Sequence, residues 1–381
     1  MRIVIRLLPA CRRGPARGVL LSLVAAAIGS LLAPAHGVAT PLAFGHTTVF
    51  ANVPTPGHPF GVLATENAVY VATSAGSPFD PNTRPETIFR YDPEGGRPTA
   101  SVAVPTMPQM GLHDIAEDGD GRIYVVDMNS RILRFTPTET GLSEPAVYAS
   151  VPEPYATLGW AASMWQNLAF DSDGNLFVTD ASLGAIWRIG PDRIPTIWLR
   201  CPKFLSMQIA GLNGIAFGPD HRLYVVQLAV HDPANFGGSR VYRLPRPAPG
   251  RAPSCAGAKV FHDFRVNRAQ KRVPFPSGCD LAFAKSGNMY VTLNAHNAVA
   301  VIGPNGRELR RISDKRFDVP IGIRFQQDSV LIANSNYLPR ENADHWLILK
   351  AFVGEPGLPL VRPHLPSARR PGRWPVKLGA A

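Results

Sequence analysis

Cysteine is scarce in this chain, four residues in 381. That is too few for a disulfide-stapled scaffold and too few for a cysteine-based zinc site. No apolar run reaches the roughly 20 residues that a membrane-spanning helix needs. No G-x-S-x-G elbow, H-E-x-x-H helix or phosphate-binding glycine loop occurs, so the sequence gives no ground for serine-nucleophile, zinc-peptidase or nucleotide chemistry. A basic stripe is also missing, although the net charge of +11 first points to one. Arg2, Arg6, Arg12, Arg13 and Arg17 supply +5 before residue 36, and Arg362, Arg369, Arg370, Arg373 and Lys377 another +5 after residue 360, which leaves +1 between them. A nucleic-acid reader carries its charge on the folded face, so nucleic acid is excluded as a partner.

The two basic ends read as appendages. The first joins an apolar run, Val19–Ala33, to the small residues Ala33-Pro-Ala35, the layout of a secretory leader over 1–35. The mature chain is therefore expected outside the cytoplasm, secreted or in the cell envelope, with no membrane span after cleavage. The second, 361–381, reads as a solvated, disordered tail. Export permits disulfides. Cys201, Cys255 and Cys279 remain after cleavage, so one bridge and one free thiol are expected, with Cys201–Cys255 and Cys255–Cys279 as the competing pairs.

What the chain has in abundance is turns, with 38 prolines and 34 glycines, and between them a repeat. A short apolar strand, a turn and a second strand of the Leu-Tyr-Val type recur at Phe60–Thr73, His113–Asp127, Gln166–Asp180, Asn213–Gln227, Cys279–Leu293 and Ile321–Asn334. Their starts step by 53, 53, 47, 66 and 42 residues, an all-β period that marks propeller blades. Third strands end in basic-apolar pairs such as Ile186-Trp-Arg-Ile189, and fourth strands follow Pro/Gly turns, as in Ala146-Val-Tyr-Ala149. The sixth unit lacks a fourth strand, while Thr47–Ala51 is spare at the other end. The predicted fold is an all-β, six-bladed β-propeller over 36–360, closed by that N-terminal strand so that no sheet edge stays open.

The turns Asp118-Gly-Asp-Gly121, Asp171-Ser-Asp-Gly174 and Lys285-Ser-Gly287 look like calcium loops but lack EF-hand spacing and its terminal Glu, and read as strand turns. In a propeller the first strands line the channel and begin at one rim. Aligned, they give the ring Phe60, His113, Gln166, Asn213, Cys279 and Ile321, followed by Gly61, Asp114, Asn167, Gly214, Asp280 and Gly322. Second-strand ends add Asp127, Asp180, Gln227, Asn294 and Asn334, with His58 and His296 nearby. Buried amides and carboxylates need partners or a cation. Two readings stay open: hydrogen bonds to neighbouring blades, or a divalent cation on Asn213, Asp280 and Gln166 or Asn167 beside His113 or Asp114. His231 reads as a loop histidine, and Tyr155, Trp160 and Trp165 as packing or as a rim for a carbohydrate.

The blade skeleton Asn213-Gly-Ile-Ala-Phe-Gly-Pro-Asp-His-Arg-Leu-Tyr-Val-Val, six times in register over His58–Pro359, resembles the senescence-marker-protein/gluconolactonase/luciferin-regenerating-enzyme family, and more loosely the NHL-repeat propellers. The resemblance implies hydrolysis of a lactone or ester with a channel cation (calcium, magnesium, manganese or zinc) held by a Glu, Asn and Asp set. Carried over, the Asn positions read Gln166 and Asn213, and the Asp is matched by Asp280. The first-blade Glu reads Phe60, with His58 near enough to stand in. In that scheme the cation polarises the carbonyl and acidifies a water, Asp280 or Asp114 is the base, and His113 or Asn167 steadies the oxyanion. Gln166, Asn167, Asn294 and His58 would contact the ligand. The expectation is an exported, monomeric hydrolase of a small molecule. The alternative is a non-catalytic propeller binding a small ligand, polysaccharide or protein.

Overall fold

The computed structural model describes residues 41–74, 85–104, 111–139, 141–158, 162–206, 211–230, 238–248, 253–265, 278–336 and 342–366. The leader, His231, Trp160 and the last fifteen residues of the tail lie outside them. Two units are distinguished, Met1–Leu42 and Ala43–Ala381, and the second holds the blades.

Six four-stranded antiparallel sheets follow one another along the chain. Their innermost strands are Pro59–Ala64, Leu112–Glu117, Trp165–Phe170, Leu212–Phe217, Gly278–Phe283 and Pro320–Gln326, in blades 1 to 6. The outermost strand of blade 6 is Thr47–Asn52, paired antiparallel with Leu347–Phe352, so the first and last strands close the ring as the sequence predicts. Among the described residues the only α-helix is a single turn at Tyr155–Leu158, and no helix is long and apolar enough to cross a membrane.

Strand periodicity places the core. Neighbouring residues point to opposite faces of a sheet, so each blade feeds two cores, one on either side. Val69 and Val71 pack with Leu331 and Ala333 of blade 6, whereas Tyr70 and Ala72 pack with Leu112 and Ile123 of blade 2. Six such clusters fill the six gaps between successive blades. The core is thus a ring of seams around an axis rather than one centre.

The turns of calcium-loop appearance are structural. Asp118 Oδ1 accepts from the amides of Asp120 and Arg122, both at 3.0 Å, and Asp171 Oδ1 from those of Asp173 and Asn175 at 3.0 and 2.8 Å. The second-strand ends are spent on the blade connections. Asp180 accepts from Ser163 Oγ, the Met164 amide and Trp187 Nε1, and Asn334 Nδ2 donates to the carbonyls of Arg316 and His345.

Beyond Phe352 the chain does something that its periodicity does not announce. Residues 353–366 pass along the end of the channel away from the ring. The Leu358 amide donates to Phe283 O of blade 5 at 2.7 Å, and the Gly119 amide of blade 2 donates to Pro363 O at 2.9 Å. Arg362 pairs with Glu117 at 3.0 Å, and Leu365 enters the core between blades 2 and 3. Blades 5 and 2 are opposite one another in a ring of six, so this strap joins opposite sides of the ring at that end, with Arg362 Nη2 also reaching Ala64 O of blade 1 at 3.3 Å.

Candidate functional site

Every blade shows a register shift in its first strand pair, between Pro59 and Gly61, Leu112 and Ile115, Trp165 and Leu168, Leu212 and Ile215, Gly278 and Leu281, and Pro320 and Ile323. The ring residues inferred from the sequence sit in these bulges. A bulge frees backbone groups and re-aims side chains, and both effects are visible. In blades 3 and 5 a threonine of the second strand repairs the gap: Asn167 and Asp280 amides donate to Thr179 and Thr292 Oγ1 at 3.0 and 2.9 Å. The same hydroxyls donate to Asn213 O and Ile321 O of the next blades, both at 2.6 Å.

Three of the six bulges carry glycine, and close approach is the reason. A Cβ on Gly61 would stand 2.3 Å from His113 O, and one on Gly214 2.7 Å from Asp280 Cα. Gly61→Ala is expected to cost about 1–3 kcal/mol through overpacking against this rigid backbone, measured by chemical denaturation.

The other three bulges carry Asp114, Asn167 and Asp280, all buried, and these meet around a residue that the ring alignment does not include. Arg324, 7% exposed, reaches across the channel from blade 6. Its Nη2 is 2.6 Å from Asp114 Oδ1 and its Nη1 is 2.7 Å from Asp280 Oδ2. The carboxylates are further occupied by amides of the next blade: Leu168 N donates to Asp114 Oδ2 at 3.2 Å, and Ile323 N to Asp280 Oδ2 at 3.0 Å. Asn167 Nδ2 donates to Asp280 Oδ1 at 3.2 Å. Blades 2, 3, 5 and 6 are therefore tied together at the waist of the channel.

The electrostatics follow from depth. Burial pushes Asp280 up to about 6, with Arg324 opposing and Asp114 reinforcing the rise. Burial works against the charge of Arg324, and the two carboxylates overcome it, so its pKa is raised.

Closer to the rim the ring is uncharged. His113 is buried, and burial together with the Arg324 charge lowers its pKa to about 3, so the imidazole is neutral. Its ring stands edge-on to Phe60, centroids 5.2 Å apart, and its Nδ1 has no hydrogen-bond partner among the described residues. Asn213 Oδ1 lies 3.8 Å from Cys279 Sγ; burial, followed by the nearby Asp280 and Asp114, raises the thiol's pKa well above the usual value. Gln166 is buried on the same ring. Cys279, Ile321, Val319 and Phe60 form an apolar arc beside it.

The remaining sequence candidates lie in other surroundings. Asn294 opens a short turn, its Oδ1 accepting from the Ala295 amide at 2.6 Å. His58 Nδ1 is 3.0 Å from Ser335 O and its ring 4.9 Å from that of Trp346. Tyr155 and Trp165 pack on Trp187, at 5.6 and 6.0 Å between centroids, which makes them packing residues. Cys201 and Cys255 are bridged, Cα atoms 5.3 Å apart, and Cys279 is the free thiol.

No family model and no curated protein matches the sequence. Solved structures do. A calcium-binding regucalcin from Agrobacterium tumefaciens superposes with a TM-score of 0.58 at 15% identity, covering 86% of this chain and 100% of its own. The fold is that of the regucalcin and gluconolactonase propellers. A candidate gluconolactonase matches at 0.56 and 14%, over 84% of this chain and 95% of its own. Virginiamycin B lyase from Staphylococcus aureus matches at 0.51 and 14%, over 81% and 99%. One architecture thus carries different chemistries, and at these identities only the fold is shared.

The channel residues do not fit the cation that the family resemblance implies. The two carboxylates nearest the axis are neutralised by a guanidinium, and Phe60 stands where the family's glutamate would. Among the described residues no group of three His, Cys, Asp or Glu side chains is placed to hold a metal ion.

Proposed function

We propose that this propeller binds a small, uncharged, polar organic molecule of the lactone or ester class at the ring end of its channel, without a channel cation. The observation that carries the reading is His113: a buried, neutral imidazole with an unpartnered Nδ1, among the amides Gln166 and Asn213 and an apolar arc at Phe60 and Ile321. Unpaired buried polar atoms are costly unless something completes them, and a carbonyl or hydroxyl offers the complement. The strap over the far end makes the ring end the place of entry. Neutral partners suit a neutral ligand, because a charged one would lose its hydration with no counter-charge on the ring.

The test is ligand-observed NMR with glucono-δ-lactone and γ-butyrolactone against wild type and His113→Phe. Binding to wild type, weakened about tenfold or more in the variant (about 1.4 kcal/mol), is expected. A wild type that ignores both, or a variant that binds equally well, removes this function from His113.

Hydrolysis of the same class is the second reading, favoured by Asp280, whose proton is exchangeable near pH 6. It predicts lactone turnover that follows one group titrating near 6 and disappears in Asp280→Asn.

The low pKa of His113 also has a consequence for stability. In the unfolded chain the imidazole takes a proton near pH 6.5, whereas in the fold it does so only near 3. Its contribution is therefore complete above 6.5 and is lost as pH falls towards 3. Asp280 acts in the opposite direction, because its raised pKa favours the fold at acid pH and that gain is lost as pH rises through about 6. Urea unfolding between pH 7 and 4 should show His113→Asn losing less stability on acidification than wild type.

We infer further that the mature protein works outside the cytoplasm. The leader pattern of residues 1–35 supports this, as does the Cys201–Cys255 bridge, a bond that persists in oxidising compartments.

A further inference from the structure

We propose that the ligand of the ring carries an aliphatic chain, and that Val319 and Ile321 select it. The inference rests on the lactone or ester reading of this site and names the kind that the site takes. The ring is divided in two. His113, Gln166 and Asn213 come from the consecutive blades 2, 3 and 4, whereas Cys279, Ile321 and Phe60 come from blades 5, 6 and 1. The halves touch at both joins: Phe60 stands edge-on to His113, and Cys279 Sγ lies 3.8 Å from Asn213 Oδ1. Leu228 and Ala229, just after the second strand of blade 4, and Val319, just before the first strand of blade 6, extend the apolar half. These residues belong to none of the six clusters that fill the seams. They form a seventh, built from strand ends at the ring.

Val319 shows that the arc is held at a cost. Its φ is +55°, a left-handed conformation in which a β-branched residue is an outlier. Such strain persists only where the surroundings impose it, and it gathers at ligand sites. Here Asn297 Oδ1 accepts from the Val319 amide at 2.9 Å, and Val319 O accepts from the Ser335 amide at 3.1 Å. The isopropyl group is thereby placed in the arc with Ile321 and Cys279. A ligand with its carbonyl on the polar half and a hydrocarbon chain on the apolar half satisfies both. A polyhydroxylated lactone would press hydroxyls against the arc without partners. The geometry therefore favours an alkyl-substituted lactone or ester over a sugar lactone.

The test is an NMR titration of wild type, Val319→Gly, Ile321→Ser and His113→Phe with γ-butyrolactone, its butyl-substituted homologue γ-octalactone, and glucono-δ-lactone. Wild type is expected to bind γ-octalactone about tenfold or more tighter than γ-butyrolactone, since each buried carbon of the chain can supply roughly fourfold. That ratio should fall by about fivefold or more in Val319→Gly and in Ile321→Ser. Glycine adopts the left-handed φ freely, so Val319→Gly keeps the test where Ile321→Ser fails to fold. His113→Phe should weaken both lactones and leave their ratio standing, which separates the two readings. A wild-type ratio near one, a ratio that both arc variants preserve, or glucono-δ-lactone binding tighter than γ-octalactone overturns the aliphatic selection while the ring still binds lactones. Silence towards all three ligands overturns the selection and the lactone reading together.

Discussion

Arg324→Met is expected to lower the stability of the fold by about 3–5 kcal/mol, the usual consequence of leaving a buried charge without its partner. Here two carboxylates lose their counter-ion at once, both below 3% exposed. The loss should be local in cause and global in effect, because the ion pairs bind blades 2, 5 and 6, and Asn167 adds blade 3. The expectation has a built-in control. Neutralising all three groups, as in Asp114→Asn/Asp280→Asn/Arg324→Met, removes the uncompensated charge and should recover much of the loss. Urea unfolding of wild type, Arg324→Met, Asp114→Asn/Asp280→Asn and the triple variant measures the cycle. A single variant that loses less than about 1 kcal/mol, the scale of an exposed pair, would show the cluster to be solvated.

Losing the Cys201–Cys255 bridge should cost about 4 kcal/mol, from the chain-entropy relation for a loop of 54 residues. The bridge joins the segment after the outer strand of blade 3 to the one before the outer strand of blade 4. Without it the unfolded chain is freer, while the six seams remain. Cys201→Ala/Cys255→Ala should therefore keep a native spectrum and melt earlier, and dithiothreitol should bring wild type to the same midpoint. Cys279→Ala should leave the bridge intact. If reduction leaves the midpoint unchanged, the bridge is not a stabilising element.

The blades were legible because each one repeats the same physical demand. Alternation of apolar residues, Gly/Pro/Asp turns and the spare strand Thr47–Ala51 each have a single structural solution in a closed ring, and all three are where the sequence placed them. The bulged ring was also legible, since polar residues at His113, Gln166, Asn213 and Asp280 interrupt strands that are otherwise apolar. What they bond to was not. Asp114 and Asp280 read equally as hydrogen-bonded to neighbouring blades or as cation ligands until the residue between them is seen, and Arg324 is three places past its own ring position, Ile321. Its signal was present, a lone cation in Pro320-Ile-Gly-Ile-Arg-Phe325, but alternation alone does not say whether such a side chain points to solvent or across a channel. The strap has no period at all: its anchors Leu358, Arg362 and Leu365 are matched to strand ends and a blade seam that lie far away in sequence. The choice between Cys201–Cys255 and Cys255–Cys279 likewise needed the blade edges in space.

The most direct measurement is the divalent-metal content of the purified mature chain, by elemental mass spectrometry after incubation with calcium, magnesium, manganese and zinc and removal of the excess. A channel held by Arg324 predicts no stoichiometric ion in wild type. One ion per chain that disappears in Asn213→Ala/Asp280→Ala would contradict it and restore a cation to the channel.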